Sequence, residues 1–337
     1  MKSRTLLILA LVTFLAILLA WALQREPLPG EPGQPLLPQL APQLNEVTAI
    51  LIEPAASEPF RLERGASGWR APAKDGYRVD VGQVRRLLSR LAEARVVATK
   101  TAIPALHDRL GVEDVAGRPG SGVLVSLDGI EEIPPIFIGQ RETRGLTGTY
   151  VRLAGDPTAL LVDQDLQPER TVVDWLDREL LDIPPEDIVA LQISRPDGGT
   201  LRIDRDELDI FRIADIPEGV RSSGPTAAES VARALSGLRL DDVRSLDGGP
   251  PEQPPTRATF RLRDGLMIEA RSWQTDSPAE GASHWVAFSA TADGGEAAEA
   301  RAQALNERLG PWLYRLPAWK HEQLTRRLTD LVVPVGD

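Results

Sequence analysis

The chain has 337 residues, 42% of them hydrophobic, enough apolar material for about two packed domains and too much for a disordered protein. Its formal charge of −11 repels a phosphate backbone, and no basic patch interleaved with aromatics occurs, which argues against nucleic acid as a partner. There is no cysteine, which excludes disulfides, thiolate nucleophiles, thiolate metal sites and a lipid-modified cysteine.

The first predicted element is residues 5–23, without a charge and preceded by Lys2 and Arg4. As a helix at 1.5 Å per residue it spans roughly 28 Å, close to the hydrocarbon core of a bilayer. A helix also satisfies its backbone groups internally, as lipid requires. Lys2 and Arg4 are expected to stay cytoplasmic, with Trp21 at the interface. Residues 1–23 are therefore read as an inner-membrane signal anchor, with the N-terminus cytoplasmic and the bulk of the chain periplasmic. Ala20-Trp21-Ala22 matches a small-x-small cleavage site, so a cleaved signal peptide is the alternative, although the apolar run is longer than such peptides use. Without Lys2 and Arg4 the exported part holds 36 basic and 49 acidic residues, and no attraction to anionic headgroups is expected beyond the anchor.

Residues 24–44 are predicted to be a linker. Pro27, Pro29, Pro32, Pro35, Pro38 and Pro42 forbid a helix and favour extended polyproline-II structure. At roughly 3.1 Å per residue the segment holds the folded part up to about 60 Å from the bilayer.

The folded region shows an internal repeat, predicted over residues 45–185 and 186–310. Val47-Thr48-Ala49-Ile50-Leu51-Ile52-Glu53-Pro54 is echoed by Ile188-Val189-Ala190-Leu191-Gln192-Ile193-Ser194-Arg195-Pro196. Each run is followed by an alternating stretch, Phe60-Arg61-Leu62-Glu63 and Leu201-Arg202-Ile203-Asp204, the second after the hairpin signal Asp197-Gly198-Gly199. A helix comes next: Val84, Leu87, Leu88 and Leu91 fall at i, i+3, i+4, i+7, and Ala227, Val231, Ala234 and Leu235 occupy the second copy. Strands are expected at 95–99, 123–127, 136–138, 149–153 and 159–162, then at 238–244, 259–263, 266–270 and 285–290. A helix is expected over 169–181, burying Val172, Val173, Leu176 and Leu180, and another over 296–309. The fold class is α+β: two tandem repeats of twisted antiparallel sheet, each with one packing helix, after a transmembrane helix.

Residues 311–337 form an aromatic segment and a last helix with Leu324, Leu328 and Leu331 in a stripe. Trp312, Tyr314 and Trp319, with Arg326 and Arg327, are the candidate partner-binding residues, because Trp, Tyr and Arg dominate interface hot spots. The competing reading is that the aromatics seal the open end of the second sheet.

The anchor, the Val-Thr-x-Ile opening strand, the Gly-Trp element at Gly68-Trp69 and the Val-x-x-Leu-Leu-x-x-Leu helix together resemble domain of unknown function 4340. Phe137-Ile138-Gly139, Tyr150-Val151-Arg152-Leu153, Leu160-Leu161-Val162-Asp163 and the ending Leu316-Pro317-Ala318-Trp319-Lys320-His321-Glu322-Gln323-Leu324 agree. The resemblance implies no catalytic residues; it implies an accessory role beside an ABC transporter of the gliding-motility type, on its outer side.

Chemistry-bearing motifs are sparse. His107, His284 and His321 lie at no metal spacing, and position 325 is Thr where a zincin helix would need His. There is no Gly-x-Ser-x-Gly, Walker loop or Gly-x-Gly-x-x-Gly. No catalytic, cofactor or metal residue is assigned. The expected function is a non-enzymatic, membrane-anchored periplasmic subunit of an ABC transporter complex, held to the inner membrane through residues 5–23. The alternatives are a module binding envelope glycan or lipid, and an envelope hydrolase with a spatially assembled site.

Overall fold

The computed structural model describes residues 32–114, 122–131, 133–145, 147–224, 226–277 and 281–335. The anchor, residues 5–23, and the first part of the proline-rich segment lie outside the described residues. Among the described residues no helix is long and apolar enough to cross a membrane. The fold is mostly antiparallel β-sheet with a few helices, in two compact units: residues 1–64 with 82–171, and residues 65–81 with 172–337.

In chain order the elements up to residue 171 are α1 (Leu40–Gln43), β1 (Ala49–Pro54), β2 (Phe60–Gly65), β3 (Gly68–Ala71), β4 (Tyr77–Arg78), α2 (Val81–Glu93), β5 (Val96–Thr99), β6 (Val123–Asp128), β7 (Ile136–Glu142), β8 (Gly148–Leu153) and β9 (Ala159–Val162). The sheet of the first unit runs β2-β1-β6-β7-β8-β9-β5, every neighbouring pair antiparallel. Strand β6 alternates buried and half-buried residues, the signature of one face on a core. Val84, Leu87, Leu88 and Leu91 of α2 are buried while Arg85, Arg86 and Arg90 face water, as the helical stripe predicts. Each buried aliphatic side chain contributes about 1.5–3 kcal/mol. Gly148 permits the closest approach, since a Cβ there would collide with the Val162 carbonyl on β9.

From residue 172 the chain forms β10 (Glu179–Leu181), β11 (Ile188–Ser194), β12 (Thr200–Arg205), β13 (Phe211–Ile213), β14 (Val220–Ser222), α3 (Ala227–Ala232) with a 3-10 turn at Arg233–Leu235, β15 (Leu238–Arg239), β16 (Asp242–Ser245), β17 (Thr256–Leu262), β18 (Leu266–Ser277), β19 (Gly281–Ala292), α4 (Glu296–Leu309), β20 (Trp312–Arg315), α5 (Ala318–Leu324) and β21 (Val332–Pro334). The main sheet runs β13-β12-β11-β17-β18-β19-β20-β16, and two ribbons, β10-β15 and β14-β21, accompany it. In both large sheets the first two strands form a hairpin whose first strand meets the strand that begins the later meander. In both, a strand that follows the packing helix ends the sheet beside a late strand: β5, directly after α2, lies beside β9, and β16, the second strand after α3, lies beside β20.

Three expectations need correction. Residues 33–44, expected as part of an extended spacer, pack on the first unit instead. Gly33 N donates to Val96 O at 2.7 Å, Leu36 N to Ala94 O at 2.8 Å, and Leu36, Leu37 and Leu40 are buried. Proline suits this place, since a chain lining a sheet edge needs donors on one side only. The helix expected over 169–181 is a 3-10 turn at Val172–Trp175 followed by strand β10. Backbone pairing outside the segment decides it: Asp80 N donates to Trp175 O at 2.8 Å, and β10 pairs with β15. The last helix stops at Leu324. Leu328–Asp330 is a 3-10 turn, and the chain ends as a strand against β14.

Candidate functional site

All five candidate partner-binding residues lie in the second unit, and the structure gives them different roles. Strand β20 is inserted between β19 and β16, with Tyr314 opposite both Val243 and Val286. Tyr314 is fully buried, its ring 6.1 Å from Tyr77 and 6.1 Å from Phe288. Burial pushes its phenol far above the ordinary range, and Tyr77 is pushed up to about 12 for the same reason. Trp312 is half-buried and meets the Tyr77 ring edge-on at 4.9 Å. Tyr314 is therefore a core residue and Trp312 a sheet residue packed on Tyr77; neither offers a docking face.

Trp319 is the exception, with 58% of its surface exposed. It sits on α5, which starts after Pro317 because proline lacks the N–H a preceding turn would need. Its inner face is Lys320, His321 and Leu324, all buried. The Lys320 ammonium donates to the carbonyls of Arg233 and Ala234 at 3.1 Å and of Ser236 at 2.5 Å. It thus supplies the donors that the end of the 3-10 turn lacks. The same ammonium lies 4.7 Å from the centroid of the Trp319 ring. Burial lowers the Lys320 pKa to about 8, opposed only by Asp182.

Next to it, the His321 ring stacks on His284 of β19 at 4.4 Å, with an interplanar angle of 25°. Burial, and secondly the neighbouring His284, lower the His321 pKa to about 4. His321 Nε2, His284 Nδ1 and Arg326 Nε are buried without a hydrogen-bond partner among the described residues. Beyond the helix, Arg195 donates to Thr325 O at 3.0 Å, and Arg327 N donates to Asp330 Oδ2 at 3.0 Å. Arg326 is half-buried and Arg327 exposed. The result is an exposed indole on a helix whose inner face is pinned by a lysine and a histidine.

Sequence reasoning missed Lys320, His284 and Tyr77. Two adjacent polar residues facing inward on a seven-residue helix leave no apolar period to detect, and the partners lie on distant strands.

A groove of about 550 Å³ also lies in this unit, with Leu180, Leu238 and Leu305 as apolar lining and Arg239, Arg301 and Arg308 as cations. Arg301 is paired with Asp264 at 2.7 Å and Arg308 donates to Leu180 O at 2.6 Å. Among the described residues no three His, Cys, Asp or Glu side chains gather as metal ligands would.

No curated protein and no solved structure matches the chain. A family does match, over residues 69–262, from Trp69 on strand β3 through β17. With more than half its length matched, the chain belongs to the family described as Domain of unknown function (DUF4340).

Proposed function

We propose that the chain is a non-enzymatic protein anchored in the inner membrane by residues 5–23, with its bulk in the periplasm, serving as an accessory subunit of an ABC transporter complex. The observation that carries the docking role is Trp319: a large indole, exposed, with the Lys320 ammonium 4.7 Å from its ring centroid. A tryptophan brings a large contact area with only two side-chain torsions to order on binding, which is what a hot-spot residue needs. The uncharged run at 5–23 supports the anchor, and the family resemblance supports the transporter. We read the two sheets as tandem repeats, a reading supported by their common strand order.

The test is in-cell crosslinking and affinity purification of the full-length protein from gently solubilised membranes, followed by mass spectrometry. Recovery of a permease and its ATPase with the wild type but not with Trp319→Ala is the expected result. Recovery of the protein alone removes the reading. The binding of an envelope lipid or glycan would then take first place, with the groove along α4 as its location.

A further inference from the structure

We propose that the uncharged loop at residues 101–106, with Ile103 at its tip, rests in the shallow interfacial layer of the bilayer; this rests on the reading of residues 5–23 as a membrane anchor. The loop follows β5 and reads Thr101-Ala102-Ile103-Pro104-Ala105-Leu106. Ala102, Ile103, Pro104 and Ala105 are all exposed, Ile103 by 58%. Among the described residues of 32–64 and 82–171, Ile103 is the one large hydrophobic side chain that is exposed. A single exposed isoleucine is ordinary on a protein surface, but four consecutive exposed apolar residues call for something to cover them.

The tether enters the fold at this end of the sheet. Gly33 N donates to Val96 O at 2.7 Å and Leu36 N to Ala94 O at 2.8 Å, so the segment runs antiparallel to β5 and Gly33 is its end nearer Thr99. Pairing continues past β5, where Lys100 N donates to Ala159 O at 2.9 Å and Ala159 N to Thr101 O at 2.7 Å. Thr101, five residues beyond Val96, is therefore at most about 17 Å from it. Only residues 24–32 separate Gly33 from the apolar run, and they span at most about 32 Å. That is roughly half the reach expected of a spacer running to residue 44. So short a leash keeps the surface around its point of entry at the bilayer.

The loop can give up water at little cost. Ile103 N donates to Thr101 Oγ1 at 3.1 Å, and Pro104 has no N–H. Leu106 N donates to Ile103 O at 3.0 Å and His107 N to Pro104 O at 3.1 Å. These donors are satisfied within the turn, which is the condition that apolar surroundings impose on a backbone. His107, 4% exposed, ties the base of the loop to the β8–β9 connection through Pro157 O at 2.9 Å. Charge does not drive the contact. Lys100, Asp108 and Arg109 flank the loop, and Asp156 is exposed on the β8–β9 connection, so the nearest charges are of both signs. The Lys100 ammonium also lies 5.9 Å from the centroid of the Tyr150 ring, whose hydroxyl donates to Glu142. The overall charge of −11 gives anionic headgroups no hold on the chain. The attraction comes from the apolar surface of the tip, and the flanking carboxylates keep it shallow.

The sheet supplies an internal control. The antiparallel steps β1-β6-β7-β8-β9-β5 bring the end of β5 to the same side as the start of β1, so the exposed Ser57 in the β1–β2 turn lies at the opposite end. The chain has no cysteine, so Ala105→Cys and Ser57→Cys can each carry a single environment-sensitive fluorophore. The full-length protein is placed in phosphatidylcholine nanodiscs that contain a lipid with a nitroxide near its headgroup. Quenching is expected to be about twofold stronger at position 105 than at 57 and to be indifferent to phosphatidylglycerol and to concentrated salt. Ile103→Asp, at an exposed position, should keep the melting temperature and bring quenching at 105 down to the level of 57. Equal quenching at both positions, quenching at 105 that concentrated salt abolishes, or no effect of Ile103→Asp overturns the proposal while the anchor stands. Shielding of position 105 only in native membranes that hold other proteins assigns the loop to a protein partner and overturns it too. Failure of the full-length chain to co-float with vesicles in concentrated salt overturns the anchor and the proposal with it.

Discussion

Acid should weaken the second unit through one imidazole. His321 is 6% exposed, and burial, then the adjacent His284, lowers its pKa to about 4 from an ordinary 6.5. Between those values the unfolded chain binds a proton that the folded chain refuses, so stability rises with pH across this window. The contribution is complete above pH 6.5, is lost as pH falls, and is gone below about 4. At 1.36 kcal/mol per pH unit the loss is about 2 kcal/mol by pH 5 and about 3 kcal/mol by pH 4. Carboxylates titrate over part of the same range, so the comparison must be with His321→Phe, which keeps a ring against His284 and removes the proton site. Urea denaturation of the full-length chain in detergent, run from pH 7 to 4, should show the wild type losing that much more than the variant. Parallel curves, or a His321 proton resonance titrating near 6.5, would falsify the account.

Other outcomes follow from the same packing. Lys320→Met strips three carbonyls of their donor and should cost about 2–4 kcal/mol in a thermal melt, with the Trp319 indole becoming more mobile by fluorescence anisotropy. Trp319→Ala should leave the melting temperature within a degree or two, because an exposed side chain contributes little to folding, while abolishing recovery of the transporter. Leu40→Ala should cost about 2–5 kcal/mol and expose residues 33–46 to proteolysis, an effect absent if that stretch were a free spacer. Gly148→Ala should be among the most damaging single-methyl changes in the first unit, since the Cβ meets the backbone of Val162 rather than a side chain that can turn aside; soluble yield and melting temperature report it.

Periodicity made the helix α2 and most strands legible, because their burial repeats at helical or alternating spacing. The turn at Asp197-Gly198-Gly199 was legible from chemistry: Gly198 takes φ +86°, and Gly199 N donates to Asp197 Oδ1 at 2.9 Å. The proline-rich segment misled because prolines argue for extension without saying whether the extended chain is free. Leu36, Leu37 and Leu40 decide that, by burial. At 169–181 local pattern gave way to pairing with Val79 and β15, which no local window contains. The candidate site was legible only in part. Aromatic density marked the right stretch, but Trp312, Tyr314 and Trp319 differ by which neighbours cover them, and those neighbours come from β3–β4, β16 and β19.

Residues 65–81 count with the second unit although they precede most of the first. Lys74 meets Asp242, 168 residues later, and Arg78 donates to the carbonyl of Arg308, 230 residues later. At a synthesis rate of roughly 5–20 residues per second, Arg78 waits about 12–46 s for that partner to be made. During that interval the apolar groups of this stretch, Trp69, Ala71, Tyr77 and Val79, have no finished core to enter. A fragment cut at residue 171 would keep them waiting permanently, and one begun at 172 would lack the segment that covers Trp312. The two units are interleaved along the chain, so neither can be expressed intact as one uninterrupted fragment that leaves the other out.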